Sequence, residues 1–442
     1  MVHIRRLPLL TLTLGFTLIA SSAHAMPTIM RGTPVLGDGH SAQLIVMGTD
    51  GRSFDSCSAA VWKPRVLITA AHCVTDTGSS QAVALNRVFA LAPGAPGPVV
   101  SSNGPLGGSR VHVTSIALGQ AYAHTSQFVV GNDIAVLVLD SDLAPTSFTR
   151  LADRTEIQKL ADAKTQTSIV GYGRTSTTDQ SQPLPRTGAF TLSDVEANRR
   201  ATDGLVIWST PVDSSDTCPG DSGAPQFVTS ADRILLIGEV AGGNCSGQSR
   251  TAQGFAAISY LGLLNPALAA AGYPTIPSAP TSLRTTSMNG TDTLWWSAPT
   301  TSPESVVGYE VRDAAGAILC AATQPYCSFP HAEPLTLRSV NAQGEGDAIA
   351  APAATAVEPA PPKVKRSGSR ITFTVKPLDY PVVTGYRITD QRGRLACRIV
   401  DPSVSLSCSV REPKGRYRFT TSASTPQGRT PESAPTSVVR IA

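Results

Sequence analysis

The stretch best equipped for chemistry is Cys218-Pro219-Gly220-Asp221-Ser222-Gly223-Ala224-Pro225, a serine set between glycines. A serine hydroxyl is a poor nucleophile. To attack a carbonyl it needs a base for its proton, a group that orients the base, and donors for the oxyanion that develops. The glycines let the backbone turn sharply and aim successive N–H groups into one small pocket. Alone, such a tetrapeptide is an ordinary turn. Two upstream segments add the missing groups. Thr69-Ala70-Ala71-His72-Cys73 offers an imidazole, and Asn132-Asp133-Ile134-Ala135-Val136-Leu137 offers a carboxylate leading into an apolar strand. Each residue taken singly has a plainer reading: a core histidine, an aspartate capping a strand, a turn serine. The set, in the order His72, Asp133, Ser222, points to nucleophilic catalysis.

Several further pieces lie in a fixed order around these three. They are Ile29-Met30-Arg31-Gly32, the interval from Cys57 to Cys73 that ends in TAAHC, the run NDIAVL, Gly171-Tyr172-Gly173, and DTCPGDSGAP. On these motifs residues 29–273 resemble the secreted trypsin/chymotrypsin-type (S1) serine endopeptidases. The resemblance implies an all-β catalytic domain, a chymotrypsin-like double six-stranded β-barrel. It implies Ser222 as nucleophile, His72 as general base and then acid, and Asp133 as the group that fixes the His72 tautomer. The backbone N–H groups of Gly220 and Ser222 would form the oxyanion hole.

Two more roles follow from the same resemblance. Proteolysis would free an ammonium at Ile29 that buries against Asp221, a charge pairing that shapes the site only after cleavage. Asp216, six positions before Ser222, would floor the primary specificity pocket and select Arg or Lys through a charge-assisted hydrogen bond. Gly243 and Gly254 would line its walls. An aspartate in the run Asp213-Ser214-Ser215-Asp216 is also a common turn residue. The sequence departs from the family pattern in places. Ile-Met-Arg-Gly stands for the usual Ile-Val-Gly-Gly, Ala241-Gly242 for Ser-Trp, and Ala224 for a glycine, and Gly238 to Cys245 is one residue short.

The expected function is therefore a secreted serine endopeptidase acting on proteins or peptides through an acyl-enzyme, with cleavage after Arg or Lys and no cofactor or metal. One alternative is a catalytically silent, protease-like binding or adhesion protein. Another keeps the nucleophile but passes the acyl group to an ester or amine.

The rest of the chain must position and deliver this site. Residues 1–25 read as a secretory leader: His3, Arg5 and Arg6, an apolar run from Leu7 to Ala20, and Ala23-His24-Ala25 as a small-x-small cleavage site. Residues 26–28 then form a very short propeptide. No later run is apolar for long enough to cross a bilayer, so the expected location is extracellular, or periplasmic in a bacterium that retains it. Eight cysteines agree with export. They lie close in sequence as Cys57/Cys73, Cys218/Cys245, Cys320/Cys327 and Cys397/Cys408, although about 105 pairings are open to eight.

At 442 residues the chain has room for several domains, and 37 glycines and 34 prolines suit turn-rich β structure. The net charge of +4 is small, Lys and Arg read as scattered, and no basic stripe argues for nucleic acid. Alternating segments through residues 41–75, 111–139 and 167–240 predict strands, Asp140 to Asp153 a crossing between barrels, and Leu261 to Ala271 a closing helix. Beyond a Pro-rich spacer at 272–280, Gly308-Tyr309-Glu310-Val311-Arg312-Asp313 and Gly385-Tyr386-Arg387-Ile388-Thr389-Asp390 recur at an offset of 77, each running on to a cysteine pair. The first repeat, 274–357, resembles a fibronectin type III β-sandwich; the second, 358–442, is a diverged copy in which Tyr417 is placed for a tyrosine-corner contact. The pairs Cys320/Cys327 and Cys397/Cys408 are expected to staple adjacent strands. A surface, polymer or protein ligand is expected for these C-terminal domains.

Overall fold

In a computed structural model of the chain, the described residues are 29–441 except 31, 36–38, 94–98, 102–103, 107–109, 120–121, 125–128, 131–132, 145–147, 149, 153, 176–183, 198–204, 213–214, 231–233, 244, 246–250, 256–260, 302–304, 381 and 427. The leader at 1–25, the segment 26–28 and Asn132 lie outside them.

Ser41–Met47 and Phe54–Lys63 form a hairpin. Its turn is closed by Asp50, whose Oδ1 accepts the backbone N–H groups of Arg52 and Ser53 at 2.9 Å each. With Val66–Thr69, Val88–Leu91, Arg110–Leu118 and Ala135–Leu139 these strands close a six-stranded barrel. Its interior is filled by alternate small and branched side chains, among them Leu44, Ala59, Val61, Leu67, Ala90 and Leu137, all fully buried.

The expectation of two six-stranded barrels is met by this first one. The second group is an eight-stranded sheet in the order Arg150–Leu151, Ile234–Glu239, Pro225–Thr229, Gln166–Gly171, Arg186–Ala197, Leu205–Pro211, Thr251–Phe255, with Thr33–Pro34 added beside Arg186–Ala197. Two short strands, one near the start of the domain and one from the crossing segment, supply the extra members. Between barrel and sheet lies a shared apolar layer that includes Trp62, Ile68 and Val136 from one side and Val170, Phe227 and Leu236 from the other. The helix Leu261–Ala270 seals it with Leu264 and Leu268.

A second helix, Arg154–Asp162, follows the crossing segment and is absent from the sequence reading. Its signal is present: Ile157 and Ala161, one turn apart, are buried against Leu192, Ile207 and Ile237, and Glu156 sits in the first turn.

Residues 281–356 form two packed sheets. One is Tyr326–Pro330, Thr291–Ser297, Thr281–Met288, Thr355–Ala356. The other is built on Ile318–Ala322, Gly308–Arg312 and Thr336–Asn341. Trp296 and Tyr309, with ring centroids 5.1 Å apart, meet between them. Residues 363–441 repeat the plan, with Lys363–Ser367, Arg370–Thr374, Ser407–Arg411 facing Leu395–Ile399, Gly385–Asp390, Phe419–Thr425. Ile371, Phe373, Tyr386, Ile388 and Phe419 form that core. Tyr417 Oη donates to the Pro413 carbonyl at 3.1 Å, a contact of the corner type.

Each close-lying cysteine pair is joined: Cys57 to Cys73, Cys218 to Cys245, Cys320 to Cys327 and Cys397 to Cys408. The last two staple strands that are adjacent in the chain, but across the sandwich rather than within one sheet. Cys320 lies on Ile318–Ala322 and Cys327 on Tyr326–Pro330, consecutive strands that belong to opposite sheets. Cys397 on Leu395–Ile399 and Cys408 on Ser407–Arg411 stand in the same relation. The chain crosses from one sheet to the other between the two cysteines, so no hydrogen-bonded ladder joins their strands. Each bridge therefore closes an open edge of its sandwich, with Cys327 buried in the first core and Cys408 half-buried against the second.

The first sandwich is clamped to the region before it by buried charges. Glu345 receives Arg150 at 2.8 Å, Arg312 at 2.9 Å and Arg338 at 3.4 Å, while Arg150 also grips Glu156 at 2.5 Å. The scattered Lys and Arg are nonetheless unequally divided along the chain. Residues 358–442 hold fifteen Lys and Arg against six Asp and Glu, a net +9. The preceding 357 residues hold twenty-one against twenty-six, a net −5, and the two nearly cancel in the whole-chain sum.

Candidate active site

Barrel register brings the histidine and aspartate together. Val66–Thr69 and Ala135–Leu139 are antiparallel neighbours, with Thr69 opposite Ala135. The chain therefore leaves the barrel at Thr69 where it enters at Ala135, and His72, on the short 3-10 turn Ala71–Val74, meets Asp133. His72 Nδ1 lies 2.8 Å from Asp133 Oδ2, and the His72 backbone N–H donates to Oδ1 at 2.8 Å. Asp133 is fully buried, whereas the imidazole is 21% exposed, so one edge of the ring is held and the other faces the cleft.

Ser222 enters from the second sheet, just ahead of Pro225–Thr229. Its loop is sewn to the first barrel by Ser58. The Ser58 N–H donates to the Ser222 carbonyl at 2.8 Å, and its hydroxyl donates to the Gly220 carbonyl and accepts the Tyr172 N–H, each at 2.9 Å. The Ser222 carbonyl also lies 3.7 Å from Sγ of Cys73, the neighbour of His72. The backbone of the serine is thus fixed beside the histidine's own turn.

The amides of the loop divide in a telling way. Asp221 N–H donates to the Cys218 carbonyl, Gly223 N–H to that of Val240 and Ala224 N–H to that of Asp221. Those of Gly220 and Ser222 donate to nothing among the described residues. Two unspent amide donors on either side of Asp221 are what a developing oxyanion requires.

Asp221 itself points away from the cleft, into the sheet. Its carboxylate accepts Gly173 N–H at 2.7 Å and Cys218 N–H at 2.9 Å. Burial pushes its pKa up to about 7; those two amide bonds act against the rise, and the nearby charge of Asp216 adds to it. Gly171-Tyr172-Gly173 gains its physical meaning here: a Cβ on either glycine would stand 2.2 Å from the Asp221 carboxylate. Ile29 is buried close by, clustered with Ile169, Phe190, Ala224 and Val240, and Met30 packs on the Cys218–Cys245 disulfide. Ile29 and Asp221 thus share Ala224 as a neighbour, Ile29 through its apolar cluster and Asp221 through the carbonyl that accepts the Ala224 N–H. Met30 in place of the family's valine fills the space over the disulfide.

Asp216 is fully buried, with Thr217 N–H on its Oδ1 at 2.8 Å and its carbonyl taking the Met30 N–H at 3.0 Å. Gly243 lies against the next residue: a Cβ there would stand 1.8 Å from Thr217 Oγ1, so close backbone approach alone demands glycine. Gly254 sits on Thr251–Phe255, where pairing with Leu205–Pro211 slips by a residue. Cys57, Cys73 and His72 place ligating atoms within 4.8 Å of one another, but the two sulfurs are joined to each other and offer no thiolate.

Two residues of the site escape the sequence reading. Ser58 has no motif to announce it. Glu239, fully buried at the end of Ile234–Glu239, carries two carboxyl oxygens with no hydrogen-bond partner among the described residues. Burial raises its pKa well above the usual carboxylate range, and the charge of Asp133 raises it further.

A family model described as Trypsin matches residues 36–261, just over half the chain. A trypsin of Saccharopolyspora erythraea is 26% identical over 198 residues, which cover 43% of this chain and 77% of that protein. The matched span contains the barrel, all of the sheet but Thr33–Pro34, and every residue of the cleft from His72 to Glu239. The first half of the chain belongs to the trypsin family of serine proteases.

Proposed function

We propose that the chain is an exported endopeptidase in which Ser222, His72 and Asp133 carry hydrolysis and Asp216 selects Arg or Lys. The observation that supports it most is the pairing of His72 with a buried carboxylate beside a serine loop whose two outward amides are unspent. In the proposed reaction the Ser222 Oγ attacks the scissile carbonyl carbon as its proton passes to His72 Nε2. Asp133, holding Nδ1–H, stabilises the imidazolium. The oxyanion is received by Gly220 and Ser222 N–H, each such donor being worth about 3 kcal/mol in the transition state. The tetrahedral adduct collapses as His72 gives the proton to the leaving amine. Water then cleaves the acyl ester by the same route in reverse order.

Asp216 supports the specificity through burial: a carboxylate held out of bulk water favours a guanidinium or ammonium over apolar side chains. The leader-like N-terminus and the disulfides support export. A fluorophosphonate label, followed by peptide reporters carrying Arg, Lys, Phe or Ala before the cut, tests the reading. Labelling that is abolished in Ser222→Ala, with Arg and Lys reporters cleaved fastest, is expected. An unlabelled, correctly processed protein would identify a silent scaffold instead, and a preference for Phe would remove Asp216 from the pocket.

A further inference from the structure

We propose that the outer face of the sheet Lys363–Ser367, Arg370–Thr374, Ser407–Arg411 docks an extended anionic polysaccharide. Strand alternation puts Val364, Ile371, Phe373 and Val410 toward the core and the neighbouring residues outward. The outward set is cationic at its margins and hydroxylic between: Lys363, Lys365, Arg370 and Arg411, all exposed, flank Thr372, Thr374, Ser407 and Ser409. Arg370 and Arg411 stand directly opposite each other in register. Like charges in that relation destabilise a strand pair, so the sheet retains two that its own fold disfavours.

Nothing among the described residues neutralises them. None of the four cations has an ion-pair partner among the described residues, and the face bears no carboxylate. Three of the six acids of this module are engaged elsewhere, Asp390 and Glu412 with Arg394 and Asp379 with Arg284. Four of the fifteen Lys and Arg of residues 358–442 stand on this face.

The neutral part of the face selects among anionic partners. Thr372 and Ser409 hydroxyls lie 2.9 Å apart and those of Thr374 and Ser407 3.0 Å apart. In each pair one hydroxyl donates to the other, and the acceptor keeps a proton for an outside group. A polymer that carries both charged groups and hydroxyls uses cations and ladder together. No aromatic ring stands on this face for base stacking, which disfavours single-stranded nucleic acid. A bilayer fares worse. The outward residues are all Lys, Arg, Ser or Thr, so no large apolar side chain stands on the face to enter the acyl region.

The test uses the full chain, with heparin as the anionic polysaccharide, neutral dextran, a double-stranded DNA fragment and phosphatidylcholine–phosphatidylglycerol vesicles. Heparin is expected to bind, with log affinity falling linearly against log salt, and dextran not to bind. Replacing Lys363→Ser, Lys365→Ser, Arg370→Thr and Arg411→Thr together should weaken heparin binding about tenfold or more. Arg387→Ser with Arg398→Ser, an opposed pair on the other sheet, should change it by less than about threefold. Thermal unfolding reports whether each variant is folded, and Lys363→Ser with Lys365→Ser alone keeps the test alive if the arginine changes disturb the sheet. Equal weakening by both sets would mean net charge rather than this face. That outcome, tighter retention by DNA or vesicles than by heparin, or no heparin binding at all, overturns the proposal.

Discussion

His72 is held twice by one carboxylate: Asp133 Oδ2 lies 2.8 Å from the ring Nδ1, and Oδ1 takes the backbone N–H at 2.8 Å. The second bond fixes the turn on which the ring stands, so the carboxylate sets position as well as tautomer. Asp133→Asn retains the shape but presents an amide to one of the two N–H groups, favouring the wrong tautomer. The expected loss in kcat is about 10⁴-fold with the fold intact. Ester and amide reporter kinetics beside a circular dichroism melt check it; a variant within tenfold of wild type would remove Asp133 from the reaction.

Ser58 joins the serine loop to the first barrel through three hydrogen bonds. Removing its hydroxyl takes a buried partner from the Gly220 carbonyl and from the Tyr172 N–H, at a cost of about 1–3 kcal/mol. Because Gly220 also supplies an unspent amide, the loss should fall on kcat, by roughly tenfold or more, and leave KM little changed. Steady-state kinetics of Ser58→Ala separates this from a purely structural role, which would lower the melting temperature and spare kcat of the folded fraction.

Asp221 gives the uncut chain a pH dependence of known sign. Its carboxyl keeps a proton up to about pH 7 in the native state, against an ordinary value of 3.8. Between these values the native state binds the proton and the unfolded state does not, so stability falls as pH rises from about 4 to about 7, by at most about 4 kcal/mol. Urea unfolding of uncut Ser222→Ala protein should show the decline, and Asp221→Asn in the same background should flatten it. Cleavage before Ile29 should flatten it too, by bringing an ammonium to the carboxylate. An identical slope in the Asp221→Asn protein would reject the account.

Much of this is legible in the sequence, for definite reasons. His72, Asp133 and Ser222 lie in short runs whose neighbours are themselves constrained. Cys73 is bonded to Cys57, Ala135 enters the barrel wall, and Gly171 and Gly173 make room for Asp221. Local crowding of that kind forces a motif. Ser58 and Glu239 stay hidden because their partners lie far off in the chain, and neither serine nor glutamate in a strand carries a local pattern. The pairing of Cys320 with Cys327 and of Cys397 with Cys408 shows in their spacing, but spacing does not say which sheet a strand joins. The helix Arg154–Asp162 is easily overlooked although Ile157 and Ala161 show its period. The charge of the last module is lost when the whole chain is summed before it is divided.

Glu239 is a buried acid that the proposed reaction does not use. Both oxygens lack a partner among the described residues, and burial together with Asp133 keeps the group protonated well above the ordinary range. Glu239→Leu removes an unsatisfied polar group and should stabilise the protein by about 1–3 kcal/mol at neutral pH. The gain should grow with pH, since a raised pKa means that native stability is lost as pH rises. Denaturant unfolding at pH 5 and pH 8 measures both. Destabilisation at each pH would show that the carboxyl is satisfied in solution.

Glu345 joins the trypsin-family domain to the module that follows it. Its carboxylate, almost wholly buried, meets Arg150 of the first region and Arg312 and Arg338 of the sandwich. Burial raises its pKa, and the Arg150 and Arg312 charges pull it back. Removing such an anion leaves guanidinium groups buried with less than their due, which typically costs about 3–5 kcal/mol. Glu345→Ala should therefore lower the melting temperature of the protease region and expose the spacer at 272–280 to limited proteolysis. Glu345→Gln, which keeps the shape and loses the charge, should do the same in smaller degree. If the sandwich were merely tethered, both variants would leave protease melting and spacer cleavage at wild-type values, because a contact made only in passing contributes nothing to the stability of either partner.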